Sequence, residues 1–295
     1  MESDKNKMLE VLKFLSENLY RIIVQAIEQN SKYNIEKNLR EIRIRIKRPI
    51  ILKLQNYDIL IEYRVADRDI MQTLERLCEN SIYAYKNQIK EGFITIKGGH
   101  RVGIVGTGIV ENGEIVNLKN ISSLNFRIAR EVKGCADRII REIVNKESNT
   151  IYNTLLVSPP GKGKTTILRD IIRQLSNGIE EIGFSGLTCG IVDERGEIAA
   201  CYKGIPQNDI GIRSDVIENV SKEKGIKILL RSMSPEIIAC DEIGTKEDVQ
   251  AIKLATISGV KGIFTMHGKN MADVKNNLEI NNLVESHLIE KIFFL

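Results

Sequence analysis

The stretch Ser158 to Thr166, SPPGKGKTT, follows the apolar run Thr154-Leu-Leu-Val157 and leads directly into ILRDIIRQL, a segment of helical periodicity. Strand, glycine turn and helix in that order frame a phosphate-binding loop, whose pattern G-x-x-x-x-G-K-[ST] is met here except at Ser158, where the first glycine belongs. A helix N-terminus offers free N–H groups and the positive end of a dipole, so a loop folded over it cradles phosphate oxygens. Ser158, Pro159, Pro160, Gly161, Lys162 and Gly163 form that loop, and Thr166 carries it into the helix. Gly161 and Gly163 let the backbone come close, Lys164 brings a point charge to the outer phosphates, and the Thr165 hydroxyl ligates magnesium. Serine keeps the first position small, and Pro159-Pro160 stiffens the bend.

A phosphate cradle serves many chemistries, so the later strand ends decide more. In PEIIACDEIG the short apolar run Ile237 to Cys240 delivers Asp241 and Glu242 at its C-terminal end, the end where open α/β sheets bind ligands. Asp241 is expected to hold the magnesium ion, and Glu242 to act as general base on the attacking water. Adjacent carboxylates buried without a cation would be costly, which favours a metal-nucleotide over a structural role. A further strand, GIFTMHGKN, carries Thr265 and His267 toward the same place. Between these motifs TCGIVDERGEIAA ends a strand in Asp193, Glu194 and Arg195, with Glu194 the stronger site candidate and a surface ion pair the competing reading. Arg213 in NDIGIRSDV and Arg231 in KILLRSMSPE are candidates to place positive charge on a neighbouring subunit's transition state.

This alternation of strand and helix from about residue 150 to 295 predicts an α/β domain with a mostly parallel sheet. Before it, residues 1–130 read as a smaller α+β domain. Apolar residues at helical spacing over 8–28 predict one helix, and a second covers about 68–90. In EIRIRIKRPIILKL, Ile42, Ile44 and Ile46 alternate with Arg43, Arg45 and Lys47, the period of a strand with one apolar and one basic face. Asn112-Gly113 marks a hairpin. SSLNFRIAR is a strand expected to place Arg127 and Arg130 on one side. Residues 131–149 form a helical connector, and the terminal EKIFFL a strand that is cut short or pairs elsewhere.

Composition narrows the class. With 42% hydrophobic and 28% charged residues the chain is an ordinary folded protein, and no apolar run approaches the roughly 18–20 residues that cross a bilayer. The first residues lack a secretory signal, so a cytoplasmic location is expected. The five cysteines are odd in number and widely spaced, which points to reduced thiols rather than a disulfide framework. A net charge of +4 suits an anionic partner without choosing one.

Four segments, SPPGKGKTT, VDERGE, LLRSMSPEIIACDEIG and SGVKGIFTMHG, together resemble the RecA-like secretion and pilus (type II/IV) ATPases. Within that group GGHRVGIVG, ISSLNFRIARE and SPPGKGKTTILRDIIR resemble the stage III sporulation protein AA family. The resemblance spans nearly the whole chain. It implies a RecA-like core, ATP and Mg2+ as cofactors, and a ring of about six copies. It also implies peripheral association with the mother-cell membrane and membrane-protein partners in a sporulation channel that the ATPase powers or assembles. In that group an amino-terminal domain brings arginines to the neighbouring subunit's nucleotide, for which Arg127 and Arg130 are the positional candidates. Two positions depart from the group: Asp241 stands where glycine usually precedes the glutamate, and Gly244 where an arginine follows it. The first of the group's two histidines falls on Val260. Two alternatives stay open, a nucleic-acid-dependent ATPase and a slow ATP-dependent assembly switch. The first is disfavoured by an aromatic content of only 5% with no tryptophan for base stacking.

Overall fold

A computed structural model describes residues 4–295, with side chains from Met8 onward. The chain divides into two compact units, the residues up to Arg130 and Glu131–Leu295.

The first unit contains helices α1 (Asp4–Leu12), α2 (Glu17–Gln29), α3 (Ile35–Asn38), α4 (Asp67–Leu77) and α5 (Lys86–Lys90). Its strands are β1 (Leu39–Arg45), β2 (Ile50–Leu54), β3 (Asp58–Ile61), β4 (Phe93–Ile96), β5 (His100–Glu111) and β6 (Glu114–Arg127). They form an antiparallel sheet in the order β3-β2-β1-β6-β5-β4. The period-two pattern sorts its faces: Ile42, Ile44, Leu52, Val102, Leu124 and Phe126 join a core with Leu12, Leu19, Ile23 and Leu74 from the helices. On the other face Glu41 lies opposite both Lys53 and Arg127, and Arg127 opposite Arg101. Asn112 and Gly113 both take positive φ at the β5–β6 turn, as a tight hairpin requires.

Three expectations for this unit need adjustment. The single helix over 8–28 is two, because Ser16 caps α2 by accepting from the Leu19 N–H, and its own N–H is taken by Thr73. The helix over 68–90 stops at Leu77, where Glu79 and Asn80 enter the left-handed region and turn the chain. Arg127 and Arg130 do not share a side. Arg127 stands exposed at the end of β6, whereas Arg130 lies past the strand and donates to the carbonyls of Glu36 and Leu39.

The second unit runs α6 (Asp137–Ile143), β7 (Val144–Asn145), β8 (Thr150–Ile151), β9 (Thr154–Ser158), α7 (Lys164–Asn177), β10 (Cys189–Asp193), β11 (Ser214–Glu218) and α8 (Lys222–Ser232). It continues with β12 (Ile237–Cys240), α9 (Lys246–Ile257), β13 (Lys261–His267), α10 (Met271–Asn276), α11 (Leu278–Glu285) and β14 (Lys291–Phe294). The main sheet is parallel throughout, in the order β11-β10-β12-β13-β9-β14. One face packs Leu156, Ile191, Ala239 and Ile263 against α6 and α7; the other packs Val157, Val192, Ile238 and Phe264 against α8, α9 and α11.

Residues 131–149 are helical only over Asp137–Ile143 and belong to this unit rather than standing apart as a connector. The reason is burial: Ala136, Ile139, Ile140 and Ile143 enter the core beside α7, and the Ala136 N–H is held by Asp170 at 3.0 Å. EKIFFL forms β14, paired in parallel with β9. All five cysteines are free thiols, and burial pushes those of Cys189 and Cys201 up to about 12. No helix among the described residues is long and apolar enough to cross a membrane.

Candidate active site

In a parallel sheet covered on both faces, the strand ends are the open surface. β9 and β13 are in register with Ser158 opposite His267, and β12 ends beside them at Cys240. The phosphate-loop residues, the acid pair and the histidine therefore meet at one edge. Ser158 is fully buried and its hydroxyl donates to the Pro159 carbonyl at 3.0 Å, so the serine braces the entry to the loop. Gly161 and Gly163 sit at φ 75° and 87°, and a Cβ on either would meet nothing within 4 Å. The first fact explains why glycine is needed; the second leaves open space beside the loop, where Pro160 and Lys162 are also exposed.

Glu242 is the hub. Its Oε1 lies 2.9 Å from the Lys164 ammonium and 2.8 Å from His267 Nε2, and its Oε2 lies 2.7 Å from Arg195 Nη1. His267 Nδ1 is also 3.3 Å from the Lys164 Nζ. Burial alone would raise the Glu242 pKa. The hydrogen bond and charge of Lys164, with the charges of His267 and Arg195, outweigh it and hold the carboxyl below its usual range. Glu242 also adopts φ 54°, a left-handed conformation that a non-glycine residue keeps only when its surroundings enforce it. Thr265 does so from β13. Its hydroxyl accepts the Glu242 N–H at 2.9 Å and donates to Asp241, and its carbonyl accepts from the Ile243 N–H at 2.8 Å.

Asp241 completes the opposite side, accepting from the Thr165 hydroxyl at 2.5 Å. Two hard oxygen donors converge there, the donor set that a magnesium ion takes from protein when phosphate and water supply the rest. Glu194 lines the same cleft as Asp241 and Glu242, but its carboxylate is paired with the ammonium of Lys222 in the first turn of α8. Asp193 lines the cleft too, but its carboxylate is taken up by the turn after β10: it is buried and accepts the N–H groups of Glu197, Ile198 and Ala199 at 2.8, 3.1 and 2.8 Å.

Arg213, expected to serve a neighbouring subunit's nucleotide, lies away from this chain's own site. It precedes β11 and donates to the carbonyls of Ser176 and Asn177 in the last turn of α7, while Lys164 occupies the first. At 1.5 Å per residue the helix separates them by about 18 Å. Arg231, in the last turn of α8, is exposed at that same far edge. Sequence reasoning in turn missed the pairing of Arg195 with Glu242, that of Lys222 with Glu194, and the bracing role of Thr265. Arg195 carried a faint signal, lying two residues past a strand end.

This is the fold of the RecA-like secretion ATPases. The structure superimposes on the ATPase DotB of Legionella pneumophila with a TM-score of 0.56 at 16% identity, covering 87% of this chain and 69% of that one. It superimposes on the pilus retraction motor PilT, solved with bound ADP, with a TM-score of 0.55 at 15% identity, covering 84% and 69%. The chain belongs to the family Sporulation stage III, protein AA, whose model matches residues 5–295. It is 37% identical over 284 residues to stage III sporulation protein AA of Bacillus subtilis (strain 168), spanning 96% of this chain and 89% of that protein.

Proposed function

We propose that the chain is a magnesium-dependent ATPase that works as a ring at the cytoplasmic face of the mother-cell membrane, where it powers or assembles a sporulation channel.

 

The observation that carries this reading is the meeting of Lys164 and Thr165, from the phosphate loop, with Asp241, Glu242 and His267 at the ends of neighbouring parallel strands. In this scheme the backbone of Ser158 to Gly163 and the N-terminus of α7 bind the phosphates. Lys164 and His267 leave Oε1 of Glu242 for the outer phosphate, and the released oxygen accepts the proton of the attacking water. Thr165 and Asp241 hold Mg2+, which neutralises charge on the phosphate oxygens when bound. Glu194 and His267 are assigned to the water and the outer phosphate. Arg213 lies at the opposite edge of the sheet, so any catalytic part it takes is on a neighbouring subunit's nucleotide. The ring, the peripheral membrane location and the membrane-protein partners rest on the family and on the secretion ATPase fold.

The test is magnesium-dependent turnover of wild type and Glu242→Gln, together with the solution mass of Glu242→Gln with and without magnesium-ATP. The expected result is a loss of about 100-fold or more in turnover and a nucleotide-dependent shift to a defined ring. A wild-type protein that binds no nucleotide overturns the reading. A second reading, an assembly switch with slow hydrolysis, is favoured by the contacts of Lys164, Arg195 and His267 that occupy both oxygens of Glu242. On that reading Glu242→Gln retains sporulation, whereas a motor loses it.

A further inference from the structure

We propose that Arg195 is the positioning residue of Glu242, the group that keeps its carboxylate aimed at the attacking water once nucleotide has drawn Lys164 away. The proposal rests on the hydrolytic reading and assigns a role that this reading does not contain.

Glu242 meets a cation on each side. Lys164 and His267 share Oε1, and Arg195 approaches Oε2, at 2.7 Å. These contacts are not equivalent during turnover. Lys164 is the phosphate-loop lysine and is needed by the outer phosphate, so its contact with Oε1 is lost when nucleotide enters. That departure, with His267 turning to the same phosphate, frees the oxygen that must take the proton. Arg195 lies outside the phosphate loop, and its planar guanidinium is matched to a carboxylate. Holding Oε2, it fixes the plane of the carboxylate and leaves Oε1 on the side of Lys164 and His267.

A surface arginine would not ordinarily be trusted with this, because exposed ion pairs contribute little, and the Arg195 side chain is 68% exposed. The turn that carries it is what differs. Asp193 binds three consecutive N–H groups of the turn, and Arg169 donates from Nε to the Ile198 carbonyl and from Nη2 to the Glu197 carbonyl, each at 2.6 Å. Arg169 stands on α7, the helix that begins at the phosphate loop. The turn is therefore locked to the same helix that seats the nucleotide, and an arginine on it has a fixed origin from which to reach Glu242. At the other end, the left-handed backbone of Glu242 is held by Thr265. Two rigid supports with one ion pair between them make a positioning device.

The experiment compares steady-state hydrolysis by wild type, Arg195→Ala, Arg195→Lys, Glu242→Gln and the Arg195→Ala/Glu242→Gln double variant, with nucleotide affinity measured separately by a fluorescent ATP analogue. Because Arg195 is exposed, its replacement leaves the fold intact, which circular dichroism checks. The expected result is a kcat lower by about 10- to 100-fold in Arg195→Ala, the scale of a misplaced catalytic group. KM and analogue affinity should stay within about twofold, since the contact is to Glu242 and not to phosphate. Arg195→Lys should recover part of the loss, and the double variant should be no slower than Glu242→Gln, as coupled residues require. An unchanged or raised kcat in Arg195→Ala, a loss confined to affinity, or additive effects in the double variant overturns the proposal while the hydrolytic reading stands. A wild type that binds the analogue and turns over no ATP overturns both.

Discussion

In the first unit β1 turns Ile42 and Ile44 into the core and leaves Arg43 and Arg45 on the opposite face of the sheet; in the second, every residue of β9, β10 and β12 is buried. The contrast follows from strand direction. Antiparallel strands joined by tight turns need helices on one face only, so the other face can carry charge, here Lys53, Arg43, Arg45, Arg101 and Arg127 with Glu41 among them. Parallel strands need crossovers, and those helices cover both faces. The strand ends are then the surface at which polar chemistry meets solvent, and Asp193, Asp241, Glu242 and His267 all lie at them. The lesson is that charge in the first unit is spread over a surface, whereas in the second it converges on one carboxylate.

Three substitutions test that contrast. The largest expected effect is on the first core: Phe126→Ala removes a fully buried ring and should cost about 3–5 kcal/mol. Hydrogen exchange should then show lost protection in β1 and β5 with β10 and β12 unchanged. Equal loss in both sheets would break the division into two cores. Next is Thr265→Ala, which leaves Asp241 and the Glu242 N–H without their buried partner. Urea unfolding without nucleotide should show a loss of about 1–3 kcal/mol, and turnover should fall with it. Retention of both would mean that the bend at Glu242 needs no brace. The smallest effect belongs to the open face. Arg43→Ala removes the 2.7 Å ion pair with Glu41, and the unfolding free energy should change by no more than about 1 kcal/mol, less at high salt. A larger change would show that this face is as tightly organised as the strand ends.

Much of the site was legible because it is local. The phosphate loop, Asp241-Glu242 and His267 each follow an apolar run within one short segment, and the alternation of strand and helix says that such ends share an edge. The alternation in EIRIRIK likewise marked a one-sided sheet. Other features were hidden for physical reasons. The break at Ser16 depends on Thr73, 57 residues on, and the pairing of Arg195 with Glu242 spans 47 residues. Neither separation leaves a periodic trace in the chain. The stretch 131–149 read as a connector because it is increasingly polar, yet its few apolar residues are the ones the α7 side of the sheet required.

What the amino-acid sequence determined alone was the alternation of strand and helix in the second unit and the placement of Lys164, Thr165, Asp241 and Glu242 beyond the ends of its strands, since these depend on neighbours a few residues away. Only the tertiary structure decided which cations hold Glu242, that Glu194 is paired with Lys222, and that Arg213 stands at the far edge of the sheet. Those outcomes depend on strand order and on the length of α7, which bring together or separate residues by distances that no local pattern encodes.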